Sequence, residues 1–160
     1  MRQRLQQLLQ VPPDVDYVDG FQALARLMLE LRREGPSLER LLRRARLERE
    51  VGNHMASLAA ARQALELDPR NGEVHYELGL CHLFLALASA DALPIGPKAT
   101  DLPDQGIAEL LALAVESFSV ALGINPDDED ARQDVAAIAE LLALGLDDDA
   151  LGEALREGGR

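Results

Sequence analysis

Leu65-Glu66-Leu67-Asp68-Pro69-Arg70-Asn71-Gly72 ends one apolar-striped segment and starts another. Proline lacks an N–H and disfavours helical geometry in the residue before it, so the first segment stops at Asp68. Asn71 is a helix N-cap residue, so a second helix begins there. The same punctuation returns as Leu122-Gly123-Ile124-Asn125-Pro126-Asp127-Asp128, with Asp127 or Asp128 as the cap. In both copies an alanine, Ala64 or Ala121, stands five residues before the proline. A helix end that recurs together with the next helix start marks a stacked helical repeat, in which each unit buries its apolar face on its neighbours.

Composition agrees with helices. Hydrophobic residues make up 48% of the 160-residue chain and aromatics only 3%, so the apolar content is mostly Leu and Ala, the strongest helix formers. An all-α chain of this length makes one domain with a real core. The net charge of −12 is uneven: residues 1–70 hold 12 Arg and 10 acids, residues 71–160 hold 4 basic residues and 18 acids. An acidic whole repels nucleic acid and anionic lipid at long range, so neither is expected as a partner. One lysine, Lys98, against fifteen arginines is put down to codon usage in a GC-rich genome. Cys81 is the only cysteine, so no internal disulfide forms, as suits a reducing compartment. Met1 to Gln7 lacks the apolar centre of a signal peptide, and the run Leu78–Leu93, read as the most apolar, is too short and too interrupted to span a bilayer. The expectation is a cytoplasmic protein.

Outward from the first corner, the hydrophobic spacing predicts helices over 2–10, 20–34, 38–51, 55–67, 72–90, 105–124, 128–145 and 148–157. Asp19 with Gln22 reads as a capping box for the second, whose apolar face is Phe21, Leu24, Ala25, Met28 and Leu31. Ser37 caps the third after Gly35-Pro36, and Asp147 caps the last. Helix 72–90 is apolar on two sides and belongs at the centre of the stack. Residues 92–104, with Pro94, Gly96, Pro97 and Pro103, form a long loop whose Leu93, Ile95 and Leu102 suit docking on a surface. The last helix has Leu151 and Leu155 on one side and acids elsewhere, as befits a solubilising cap.

These residues resemble the tetratricopeptide repeat family, a helix pair of about 34 residues with Leu-Gly on its first helix and Ala, aromatic, Ala and Pro on its second. The pair 37–70 matches at Ala64 and Pro69, and loosely at Leu41, Ala45 and Ser57; it departs at Arg44 and Ala61. The next unit, 71–127, matches at Leu78-Gly79, Ala114, Phe118, Ala121 and Pro126, with His75 and His82 where the family has aromatics. Pro69 and Pro126 are 57 residues apart, so this unit carries an insertion, placed at 92–104. Residues 128–157 make a degenerate third repeat and cap, and 1–36 are N-terminal helices, of which 20–34 has the place of the back half of an earlier pair. The resemblance implies an antiparallel helix-pair superhelix over roughly residues 20–157.

It also implies a concave groove, lined by the first helix of each pair, that binds a peptide or helix of another protein. The implied partner-binding residues are Leu42, Arg46 and Arg49 from the first unit, Tyr76, Leu80 and Phe84 from the second, and Gln133 from the third. The positions at which some members grip a terminal carboxylate are mostly apolar here, leaving Arg46 to pair with an acidic partner group.

Chemistry is harder to find. His75 and His82 share one helix face, but with Cys81 about 100° round the helix they fall short of a zinc set. Cys81 in an apolar helix is ordinarily an inert small hydrophobe. The acids 127–130 and 147–149 lack the alternation and glycine of a calcium loop and suit helix N-termini. No phosphate loop or nucleophile elbow is present. The arginines at 40, 43, 44, 46 and 49 are a solvated face, a dock for an acidic partner, or a contact for the acidic half of a second copy.

The expected protein is thus a non-catalytic adaptor or scaffold without cofactor or metal, its partner another protein. Alternatives are a chaperone for a secreted or assembling client, as small acidic bacterial members of the family can be, and a self-assembling subunit joining its basic N-terminal half to the acidic C-terminal half of the next copy. An enzyme using His75, Cys81 and His82 ranks last.

Overall fold

A computed structural model describes Arg4, Gln7 and residues 17–93 and 102–158. Among the described residues the chain forms seven α-helices and no strand: α1 (Tyr17–Glu34), α2 (Leu38–Glu50), α3 (His54–Leu67), α4 (Gly72–Ser89), α5 (Ile107–Ile124), α6 (Glu129–Leu142) and α7 (Asp148–Gly158). The helix expected over 2–10 lies outside the described residues, apart from Arg4 and Gln7.

The two proline corners are built alike. The N–H of Asp68 donates to Ala64 O at 3.0 Å, and that of Asn125 to Ala121 O at 2.8 Å. Asn71 N–H then reaches Asp68 O at 3.3 Å, and Asp128 N–H reaches Asn125 O at 3.2 Å. Asn71 Oδ1 accepts from the Glu73 and Val74 amides, while Asp128, rather than Asp127, accepts from Ala131. One turn into each new helix a side chain bonds back to the proline carbonyl, His75 Nε2–H to Pro69 and Arg132 to Pro126. Ala64 and Ala121 are both buried at the corner. Small residues there let the incoming helix pass close to the outgoing one.

Short turns join α1 to α2, α2 to α3, α3 to α4 and α5 to α6. Each helix from α1 to α5 packs on the next, and α2 also touches α4. α4 is the centre, in contact with α2, α3, α5 and α7. It buries Val74, Leu78, Cys81 and Leu85 on one side and Leu80, Leu83 and Leu87 on another, as its two apolar stripes require. The longest interface joins α4 to α5, which buries Leu110, Leu111, Ala114, Phe118 and Ala121.

Two expectations are revised. First, α1 begins at Tyr17, so Asp19 lies in its first turn and does not cap it. Its buried residues are Leu24 and Leu27, while Phe21, Ala25 and Met28 face outward. Among the described helices α1 packs chiefly on α2, which covers one narrow stripe of it. Second, the most apolar long helix is α5, not Leu78–Leu93. Its 18 residues have a mean hydropathy of 1.9, and it is the one helix among the described residues long and apolar enough to cross a membrane, though here a third of it is buried in the stack.

α7 follows α6 but packs mainly elsewhere. It turns back over α5 and α4. The cause is local: α5 starts after Gly106, which has no capping side chain, and Asp148 Oδ1 accepts from the Ala108 amide at 2.9 Å instead. Arg156 Nη1 donates to Ala90 O at 2.8 Å, fastening the other end of α7 to the end of α4. Leu151 and Leu155 are buried beneath it. Of the long loop, Leu93 packs on the core. Residues 94–101, including Ile95, lie outside the described residues.

Candidate functional site

α2 and α4 meet through charged side chains, and α4 reaches α6 through Tyr76 and Asp134. Glu77 on α4 is 2% exposed, an acid with Tyr76 and Leu78 on either side of it in the sequence. A carboxylate taken out of water needs close counter-charge. Two arginines of α2 supply it: Arg49 Nη1 pairs with Oε1, and Arg46 Nε lies 3.4 Å from Oε2. Arg46 also pairs with Glu73, one turn earlier on α4. The Arg49 guanidinium stacks over Phe84, 5.3 Å from the ring centroid. His54, at the start of α3, adds a tilted ring 6.0 Å from that of Phe84.

The same arrangement recurs one unit on. Glu77 is the sixth residue after the cap Asn71, and Asp134 is the sixth after the cap Asp128. Asp134 is 0% exposed. Tyr76 on α4 donates its hydroxyl to Asp134 Oδ2 at 3.2 Å, and its ring rests 5.3 Å from that of Phe118 in the core. Burial, with Asp134 beside it, raises the Tyr76 pKa, so the hydroxyl is a donor at every physiological pH. Counting from the caps, the residues of α4 that correspond to Arg46 and Arg49 are Leu80 and Leu83. α4 therefore sends no arginine to Asp134 from those positions. The cation comes from far earlier in the sequence. Arg4 Nε donates to Asp134 Oδ1 at 2.7 Å and Nη2 to Oδ2 at 3.3 Å, while Nη2 also lies 3.1 Å from Asp130 Oδ1.

The residues expected to face a partner sort into three groups. Leu42 and Leu80 are buried in the core. Arg46, Arg49 and Phe84 are gathered around Glu77, and Tyr76 is joined to Asp134. Gln133 is exposed, its amide donating to Glu129 Oε1 at 3.1 Å. The arginines of α2 are all matched within the chain: Arg40 to Glu34, Arg43 to Glu30 at 3.5 Å, Arg44 to Glu48 at 3.4 Å, Arg46 and Arg49 to Glu77. They form an internal lattice of charge more than an open basic patch.

Sequence reasoning passed over Glu77, Asp134 and Arg4. The signal for the first two was present: an acid at the same count from two equivalent caps. Nothing in the sequence pointed Arg4 at a residue 130 positions away.

Cys81 is 1% exposed, and its sulfur lies 3.2 Å from Ser57 Oγ, whose hydroxyl donates to Ala45 O. Burial pushes the thiol up to about 11, so it is protonated at neutral pH, the unreactive form. His82, next in sequence, is buried and held down to about 4 by burial and by Arg62. Among the described residues no three His, Cys, Asp or Glu side chains converge as a metal set. A shallow depression of about 570 Å³ lies elsewhere, between Met55 on α3, Glu109 on α5 and the loop residues Leu102 to Gln105. The described end of the long loop thus borders α3 and α5.

No protein-family model matches this sequence, and no curated protein matches it either.

Proposed function

We propose that this chain is a tetratricopeptide-like stack acting as a non-catalytic protein–protein interaction module, an adaptor or scaffold of the cytoplasm that seats a peptide or helix of a partner along α2, α4 and α6. One observation carries the reading. The side chain of Arg4, from a part of the chain outside the seven helices, is already held across that face, between Tyr76 of α4 and Asp134 of α6. A face that holds a residue of its own chain through side-chain contacts has the chemistry to hold a residue of another polypeptide. Tyr76 and Phe84, both half-buried, offer aromatic anchors of the kind that concentrate binding energy at interfaces. Exposed Gln133 extends the face along α6. Enzymatic use of Cys81 is disfavoured by its protonated, enclosed thiol.

A photo-crosslinking amino acid at Gln133 tests this against one at Gln63, an exposed residue of α3 on the second-helix side. The expected result is a protein adduct from position 133, identified by mass spectrometry, that Tyr76→Ala diminishes and position 63 does not give. Adducts from position 63 alone, or adducts at 133 indifferent to Tyr76, would place the binding surface elsewhere.

A further inference from the structure

We infer that Asp134, Asp130 and Tyr76 form a guanidinium pocket that takes an arginine of a partner polypeptide, and that Arg4 is its internal occupant, which the partner must displace. This rests on the groove proposed above and names the chemistry of its ligand.

The geometry selects arginine. Asp134 presents both oxygens to one guanidinium, Oδ1 to Nε at 2.7 Å and Oδ2 to Nη2 at 3.3 Å. This two-pronged match suits a planar fork and is lost on an ammonium, which is a point charge. The third contact, 3.1 Å from Nη2 to Asp130 Oδ1, closes the outer side of the fork. Tyr76 donates to the same Oδ2 and fixes the carboxylate's orientation from the α4 side. Asp134 itself is fully buried, whereas Asp130 is 67% exposed, so the pocket has a closed floor and an open rim.

The pocket also requires a cation. A buried carboxylate left with only a tyrosine hydroxyl is costly, and the equivalent acid on α4, Glu77, has two arginines built into α2. Asp134 has leucines at those two places. The stack therefore completes the inner site from its own helices and leaves the outer one to an arginine supplied from beyond them. The surroundings favour such a ligand, since Asp127, Asp128 and Glu129 open the same helix.

Arg4 precedes α1 and is connected to it through residues 5–16, which include Pro12-Pro13. A tethered occupant acts at a high effective concentration and raises the threshold for one arriving from solution. Arg4 thus sets the affinity of the groove: partners with an isolated arginine are excluded, and those with further contacts along the face enter.

The test uses a fluorescent peptide with the sequence of residues 1–10, read by anisotropy against the full-length chain. Arg4→Ala should bind it at least tenfold more tightly than the wild type. The same peptide with Lys in place of Arg4 should bind at least tenfold more weakly than the arginine form. Arg4→Ala/Asp134→Asn should lose the binding. Arg4→Ala/Tyr76→Phe, which removes one hydroxyl and keeps the ring, should weaken it severalfold if Asp134→Asn compromises folding. Equal binding by wild type and Arg4→Ala, no difference between the Arg and Lys peptides, or no binding at all would overturn the pocket. A crosslinked partner at position 133 that persists in such a case would leave the groove standing without it; loss of both would remove the groove as well.

Discussion

A methyl group on Gly79 would sit 2.4 Å from Cε1 and 2.8 Å from Cγ of Phe118, so the ring of α5 lies against bare backbone of α4. Phe118 is wholly buried there. The corresponding places in the preceding helix pair hold Ala45 and Ala61, both fully buried, where a small residue on the second helix leaves room for a methyl on the first. Gly79→Ala should therefore destabilise the fold by about 3 kcal/mol through overpacking. Phe118→Leu in the same chain should recover part of that loss, because the smaller side chain vacates the contact. Urea unfolding midpoints of the two single variants and the double variant measure both, and additivity of the two losses would show that the contact is not the cause.

Buried acids give a second expectation. Glu77→Gln keeps the shape of the side chain and removes its charge, leaving Arg49, whose side chain is 14% exposed, without its counter-ion. The expected cost is about 3 kcal/mol, since breaking a buried pair strands the partner. Glu73, at 57% exposure, pairs with Arg46 in water, and Glu73→Gln should change stability by less than about 0.5 kcal/mol. Denaturant curves in low and high salt separate the two, because salt screens only the exposed pair.

Acid sensitivity follows from two histidines. His54 and His82 are 5% and 7% exposed, and burial holds each down to about 4, with Arg49 adding to the effect on His54 and Arg62 on His82. The unfolded chain takes up these protons near pH 6.5. Between about pH 6.5 and 4 the unfolded state thus binds more protons than the folded one, and stability falls as pH falls. Each imidazole contributes a loss of about 1.4 kcal/mol per pH unit in that window, complete once the pH is below about 4. Melting temperatures of the wild type and of His54→Leu/His82→Leu between pH 7.5 and 4 check it. The double variant should show the flatter profile, and equal slopes would assign the sensitivity to other groups.

Cys81 should resist alkylation. With the sulfur enclosed and its pKa near 11, iodoacetamide should label it only as fast as the α2–α4 region opens, at least a hundredfold slower than in the urea-unfolded chain. Rapid labelling of the folded protein would revive the thiol as a reactive group.

Most of the helix plan was present in the amino-acid order. Ser37, Asn71, Asp128 and Asp147 cap the helices they precede, and Gly52, at φ +86°, makes the turn between α2 and α3. These features depend on contacts within a few residues, so composition and spacing are enough to find them. Leu78-Gly79, Phe118, Ala64 and Ala121 stood out in the sequence as marks of the resemblance, while the seating of Phe118 against Gly79 belongs to the structure. α1 was less so: two stripes of its surface are apolar, and only the position of α2 chose Leu24 and Leu27 over Phe21 and Met28.

What needed the assembled helices was the pairing of charge and the path of the last helix. Glu77 finds its arginines 28 and 31 residues back, and Asp134 finds Arg4 across 130. α7 leaves α6 because the bare amino end of α5 offers its amides to Asp148. Caps and proline stops act over one turn of chain, and local order settles them. An ion pair or a docked helix depends on which surfaces the stack brings within a few ångströms, and that distance exists only once the helices have been laid against one another.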